Sequence, residues 1–313
     1  GVSSTSAPSF IPPKPNAALL ILCRNEDLGE LLPTLSNLES TFNSHPLTSY
    51  PYVLLNDQEF TPYFKAKLTA YLASARQRFG GPHASDPDIR FGQVPPEHWR
   101  APDWIDWEKA KRRWEIIAKS KVPYAMSESY RHMCRFQSGF FYRHPLVKDL
   151  DFYWRVEPQT RYTCNLTDGT GDFFDPFRWM KKHNKKYGWV LSLKEYQATI
   201  KTLWPKARMW LMKNPQYHSP NLDILPFISK EDKIGYNLCH FWNNFEIANL
   251  DFFRSEAYQA FFDHLEELGI FYYDRTGDAP VHTIAVSWFL SKEEVHQFTN
   301  IGYYHTPFHY CPQ

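Results

Sequence analysis

A chain of 313 residues is long enough for one large core or two smaller ones. Its 35 basic and 34 acidic residues leave a formal charge of +1, which argues against the one-sided basic field of a nucleic-acid or membrane-surface binder. No apolar run is long enough to cross a bilayer, and the 17% aromatic content suits stacking on sugars or bases as well as a large core.

Residues 1–16, rich in Ser and Pro, read as a linker or stem remnant. The continuous apolar run Ala17 to Cys23 is the mark of a buried parallel strand. A polar turn, Arg24-Asn25-Glu26-Asp27, and a helical pattern to about residue 42 complete the start of a βαβ unit. Tyr52 to Asp57 is a second strand, Pro62 opens a helix to about residue 78, and Ile89 to Gly92 is a third strand. This alternation predicts an α/β, Rossmann-type sheet flanked by helices. Neither a dinucleotide glycine fingerprint nor a P-loop is present. Arg24, Asn25 and Asp57 fall at the carboxyl ends of the first two strands, where they would reach a base, ribose or phosphate, or simply form turns.

A helix with Trp107 and Trp114 and a second over residues 125–142 come next. Arg131 and Arg135 on the second helix would pair with a diphosphate or with surface carboxylates. The run Asp151-Phe152-Tyr153-Trp154-Arg155-Val156-Glu157-Pro158 is a strand stopped by proline. It carries Glu157 at the carboxyl end, suited to a divalent cation, to acid/base work, or to an ion pair with Arg155.

Beyond it, a helix from Phe173 to about Lys186, a strand Trp189 to Leu193 and a helix over 196–213 interrupted by Pro205 are expected. If residues 242–246 are a strand, Trp242, Asn244 and Glu246 share a face, with Glu246 turned to a sugar or paired to an arginine. Residues 256–268 make an amphipathic helix ended by Gly269. Asp278 is expected as N-cap of a last helix with Pro280 in its first turn, placing His282 near a helix N-terminus. There it would be either a neutral metal ligand beside Glu157 or a structural histidine. His132, His144, His218, His296, His305 and His309 have no spacing that singles them out. Cys23 reads as a buried thiol; Cys134, Cys164, Cys239 and Cys311 allow three disulfide connectivities. A glycosylation sequon stands at Asn165-Leu166-Thr167.

The stretches LLILCRNEDL, SYRHMCRFQSGFF, DFYWRVEP, GYNLCHFWNNFEI, GDAPVH and IGYYHTPFHYCP, in this order over residues 17–313, resemble the fungal Golgi α-1,2-mannosyltransferases of the KTR family, glycosyltransferase family 15. The resemblance implies a single GT-A catalytic domain over 17–313, with nucleotide binding in 17–157 and acceptor binding in 158–313. It implies GDP-mannose as donor, Mn²⁺ as cofactor, a mannoside acceptor and transfer with retention of the α configuration. A Golgi-lumenal type II membrane protein is implied, anchored upstream of this chain. It further implies that Glu157 and His282 hold the metal, that Glu246 lies near the anomeric carbon and that Tyr130 approaches the donor. Charge building on the diphosphate would be offset by the metal and by arginines, with Arg131 and Arg155 the expected ones. Gln159 stands where an acidic residue is expected, and Phe174-Asp175 replaces a Tyr-Asp pair; both bear on the acceptor. The alternatives are a non-catalytic GDP- or mannoside-binding module and a mannosylphosphate transferase.

Overall fold

The structure is a computed structural model that describes residues 13–163, 173–232 and 234–312. Most of the 1–16 arm, Cys164 and the sequon at Asn165 lie outside the described residues. The strands in chain order are β1 (Ala17–Leu22), β2 (Tyr52–Asn56), β3 (Ile89–Gln93), β4 (Phe152–Val156), β5 (Arg161–Tyr162), β6 (Tyr187–Trp189), β7 (Ser192–Lys194), β8 (Cys239–Phe241), β9 (Glu246–Asn249), β10 (Val295–Gln297), β11 (Tyr303–His305) and β12 (Phe308–Tyr310). The centre is a seven-stranded sheet in the spatial order β10-β6-β9-β4-β1-β2-β3. Only β9 runs against the others in it. Every residue of β2 and β4 is buried, as is β1 up to Ile21, which is why these strands read as near-continuous apolar runs, broken only by Asn56 and Arg155 near the cavity end.

Helices cover both faces. Leu28–Leu38 and Pro62–Gly80 pack with one another; Glu128–Gly139 and Asp278–Phe289 pack with one another. The alternation of β4 divides the core: Phe152, Trp154 and Val156 join one apolar cluster, Tyr153 the other. A small sheet has the order β12-β11-β5, and a hairpin-like pair joins β7 to β8. The central sheet takes strands from both sides of residue 157, so that position is no boundary between separate bodies.

Several local expectations are corrected. The run at 189–193 splits between β6 and β7, in different sheets. Pro205 does not interrupt a helix; it sits in the first turn of Leu203–Lys213, where a missing N–H costs nothing. Cys134 and Cys23 are both buried free thiols, and Cys239 and Cys311 are free as well. No disulfide forms among the described residues.

Candidate active site

Strands β1, β2 and β4 end at one rim, and a cavity of 790 Å³ opens there. Open α/β sheets bind ligands at this end, and the volume suits a nucleotide sugar. The first two strand ends supply Leu22, Cys23, Arg24, Asn56 and Asp57. Helix Glu128–Gly139 brings its N-terminus, capped by Ser127, whose Oγ accepts from the Tyr130 amide at 3.1 Å. Tyr130 lines the cavity, stacks on Tyr124 with 4.8 Å between centroids, and accepts a hydrogen bond from Arg275 Nη1 at 2.8 Å. Burial pushes its phenol well above the ordinary range.

Behind the rim, two pairs follow from register and helix pitch. Arg155 on β4 stands opposite Glu246 on β9. Asp278 and His282 lie four residues apart and so share one face of helix Asp278–Phe289. Asp278 accepts from Arg155 Nη1 at 2.5 Å, and His282 Nδ1 meets Glu246 Oε2 at 2.8 Å. Asn243 links the two pairs: its Nδ2 reaches Asp278 at 2.8 Å and His282 Nδ1 at 3.3 Å.

Glu157 extends into the cavity just past β4. Its Oε1 accepts from Arg155 Nε at 2.9 Å and Nη2 at 2.5 Å. Its Oε2 faces His305 Nε2 at 3.6 Å. Burial works to raise the Glu157 pKa, but Arg155 and His305 outweigh it and hold the carboxyl at about 2. His305 Nδ1 lies 3.0 Å from the Thr306 carbonyl. A carbonyl only accepts, so Nδ1 carries a proton; burial works against a second proton on Nε2, but the Glu157 carboxylate outweighs it and raises the His305 pKa. With Nε2 deprotonated, the ring nitrogen and the carboxylate oxygen face one another as two acceptors at the cavity wall, where a cation could take the place of that proton. An imidazole nitrogen and a carboxylate oxygen, with the ring oriented by a carbonyl, are a donor set suited to Mn²⁺. Among the described residues no three His, Cys, Asp or Glu side chains converge on one point, so this pair leaves the remaining coordination positions to a ligand and water.

The expected partner of Glu157 is His282, and the structure corrects this. The helix N-cap is Gly277, not Asp278, so His282 is the fifth helical residue and faces inward, 1% exposed. Its Nε2 donates to the Gln137 carbonyl at 3.0 Å. Its Nδ1 meets Glu246 Oε2 at 2.8 Å. Both ring nitrogens are thus turned to buried partners, and the residue does not line the cavity.

Glu246 is corrected likewise. Residues 242–245 form a turn, not a strand, and Glu246 begins β9 fully buried. Its carboxylate accepts from Tyr153, from Tyr187 at 2.5 Å and meets His282, which ties it to buried partners away from the cavity lining. Arg131 is a core arginine, fully buried: its guanidinium lies over Trp114, and it donates to the carbonyls of Asp274 at 3.0 Å and Ser127 at 2.9 Å. Burial lowers its pKa to about 10. Asn25 ties the two strand-end loops together through Glu59 O at 3.0 Å and the Thr61 amide at 2.9 Å, and does not line the cavity. Arg155 lines the cavity, but Glu157 and Asp278 occupy its guanidinium, so it orients Glu157 and is not a free phosphate clamp. Arg24, Asp57, Tyr130 and Glu157 stand in the cavity as expected.

The residues missed from sequence are His305, Asn243, Asp278 as an ion-pair partner, Glu195 and Arg275. The last two pair at 3.2 Å on the cavity wall. Only the GDAPVH stretch carried a signal for any of them, through the spacing of Asp278 and His282.

Residues 5–313 match the family described as glycolipid 2-alpha-mannosyltransferase. The chain is 44% identical over 310 residues to alpha-1,2 mannosyltransferase KTR1 of Saccharomyces cerevisiae, covering 99% of this chain and 73% of that protein. It is also 44% identical over 301 residues to glycolipid 2-alpha-mannosyltransferase 2 of Candida albicans, covering 96% of this chain and 60% of the relative. Among solved structures, core-mannan synthase A (CmsA/Ktr4) of Aspergillus fumigatus in its Mn/GDP form superposes with a TM-score of 0.85 at 39% identity, covering 98% of this chain and 78% of that one. The S. cerevisiae mannosyltransferase Ktr4p in complex with GDP gives 0.86 at 36% identity, with coverage of 98% and 77%. With its fold and nearly its whole length matched by these proteins, the chain belongs to the glycolipid 2-alpha-mannosyltransferase family, glycosyltransferase family 15.

Proposed function

We propose that this protein transfers mannose from GDP-mannose to a mannoside acceptor, forming an α-1,2 linkage with retention of configuration and using Mn²⁺. The observation that carries the reading is the facing pair Glu157 Oε2 and His305 Nε2 at the end of the central strand. Support comes from relatives named as α-1,2-mannosyltransferases and from the Mn/GDP form of a structural neighbour. Glu157 and His305 would hold the ion, which when bound offsets charge on the diphosphate. Arg155 keeps the Glu157 carboxylate ionised and aimed. Leu22, Cys23, Asn56 and Asp57 form the nucleotide end, and Arg24 lies beside it, its side chain 62% exposed and paired with Glu26 at 3.1 Å and Asp27 at 3.2 Å, surface pairs weak enough to be exchanged for a phosphate. Tyr130 faces the donor with its phenol kept protonated by burial. Trp242 and Phe308, their rings edge to face at 5.4 Å, border the mouth where an acceptor sugar would enter. Glu246 acts through others: it fixes His282 and Asn243 and so positions Asp278. Residence in the Golgi lumen, tethered by an anchor outside residues 1–313, belongs to this proposal on the family resemblance; immunolocalisation of the full-length protein checks it.

The test is incubation with GDP-mannose, Mn²⁺ and a panel of mannosides, followed by linkage mapping. Acceptor-dependent GDP release and an α-1,2-linked product are expected. His305→Gln should weaken Mn²⁺-dependent GDP binding by about tenfold or more. Binding of GDP without help from Mn²⁺, or a His305 variant that binds as the native chain does, sinks the reading. A mannosylphosphate product would replace it.

A further inference from the structure

A second cavity, of 510 Å³, lies outside the nucleotide-sugar cleft. Its volume falls within the range of small-ligand sites. One wall is helix Leu28–Leu38, through Glu30, Pro33 and Thr34, and the other is the small sheet β12-β11-β5. Thr34 Oγ1 donates to the Thr160 carbonyl at 2.9 Å, and Thr160 Oγ1 donates to the Glu157 carbonyl at 2.7 Å. The helix wall is thereby tied to the turn that follows Glu157, and the cavity is preformed.

Strand register decides what faces this cavity. Tyr304 stands opposite His309 of β12 and Arg161 of β5, so the three make one row across the sheet. All three line the cavity; Arg161 and His309 are exposed and Tyr304 half-buried. The row beside it, Tyr162, Tyr303 and Tyr310, points to the opposite face and packs in the core. His305 and Phe308 share that opposite face and line the main cavity instead. The hairpin of β11 and β12 is therefore a partition with one face to each cavity. Thr306, at its tip, lines both, so the two cavities adjoin there.

The lining selects the ligand class. Glu30 and Arg161 are one charge of each sign, and neither makes an ion pair among the described residues. The two cancel, so the cavity concentrates neither an anion nor a cation. Gln159, Thr306 and the Tyr304 hydroxyl, which lies 3.1 Å from Thr306 Oγ1, can both donate and accept. The Tyr304 ring, met edge-on by His309 with centroids 6.0 Å apart, offers an apolar face. A pyranose has C–H groups on its faces and hydroxyls around its edge, and it matches that mixture. The cavity adjoins the mouth where Trp242 and Phe308 stand, which makes it the continuation of the acceptor path.

We propose that this second cavity holds the inner sugar residues of an oligomannoside acceptor whose terminal mannose sits at the mouth of the main cavity, so that acceptors are selected by length. The proposal rests on the mannosyltransferase reading, and the experiment separates the two. KM is measured with GDP-mannose and Mn²⁺ for methyl α-mannoside and for a mannotriose, in the native chain and in Tyr304→Ala. The native KM should be about tenfold lower for the trisaccharide, and Tyr304→Ala should erase most of that difference. The variant's KM for GDP-mannose and for methyl α-mannoside should stay within about twofold, which also reports that it folds. His309→Ala, at an exposed position, should act in the same direction, and it carries the test if Tyr304→Ala does not fold. A native chain that uses both acceptors equally overturns the proposal, as does a variant that loses both alike or keeps the full preference. A native chain that transfers mannose to neither acceptor refutes the mannosyltransferase reading itself.

Discussion

Replacing Arg155 by Met tests the electrostatic hinge of the site. The guanidinium lies between Glu157 and Asp278, with N–O contacts of 2.5–2.9 Å. The side chains of Arg155 and Asp278 are 7% and 6% exposed, that of Glu157 27%. Met fills similar space without charge and leaves Asp278 buried beside the single donor Asn243. Removing one partner of a buried ion pair costs about 3–5 kcal/mol. Glu157, more exposed, adds less, although its drop from an ordinary 4.5 to about 2 corresponds to a ceiling of ~3 kcal/mol shared with His305. Urea unfolding at pH 7 should therefore show a loss of about 3–5 kcal/mol where the transition is cooperative. Adding Asp278→Asn should recover part of it, because the amide needs no counter-charge. The sign with pH is fixed: the folded pKa of Glu157 lies below the unfolded one. Its contribution is complete above about pH 4.5 and is lost as pH falls toward 2. The gap between native and Arg155→Met should narrow over that window. A loss under about 1 kcal/mol at pH 7, or a gap that stays constant into acid, would refute the buried-pair account.

Gly139 ends helix Glu128–Gly139 under the ring of Phe262, which a Cβ would strike. Gly139→Ala should cost about 1–3 kcal/mol by overpacking, read as a lower urea midpoint, and Phe262→Leu in the same chain should relieve part of it. Iodoacetamide under native reducing conditions at about pH 8 should label exposed Cys311 and spare Cys23 and Cys134, whose thiols burial pushes up. Peptide mapping that finds Cys134 modified at the Cys311 rate would contradict the packing around helix Glu128–Gly139.

The strands that build the cavity rim were readable because parallel strands buried on both faces need unbroken apolar runs, as in Ala17–Leu22 and Tyr52–Asn56. Glu157 was readable too, since Pro158 marks where its strand ends. The failures share a cause. His282 and Glu246 are chemically suited to a site, and local pattern says nothing about which way a buried side chain faces. Their direction is set by the β4–β9 register and by the pitch of Asp278–Phe289. Arg131 and Arg24 look alike in sequence; one lies over Trp114 in the core and the other stands at the rim. His305 carried no signal because its partner is 148 positions earlier and the two meet only through the pairing of β11 with β5.

That pairing bears on how the molecule matures. The sheet strands from β1 to β4 are made first, yet the imidazole beside Glu157 arrives on a hairpin among the last described residues. A nascent chain would thus lay down the β1–β4 rim of the cavity before the proposed second metal ligand arrives. Competence to hold the charged end of a sugar nucleotide would then come late in synthesis, when β11 and β12 dock, and clipping that hairpin would silence the cleft without dismantling the sheet.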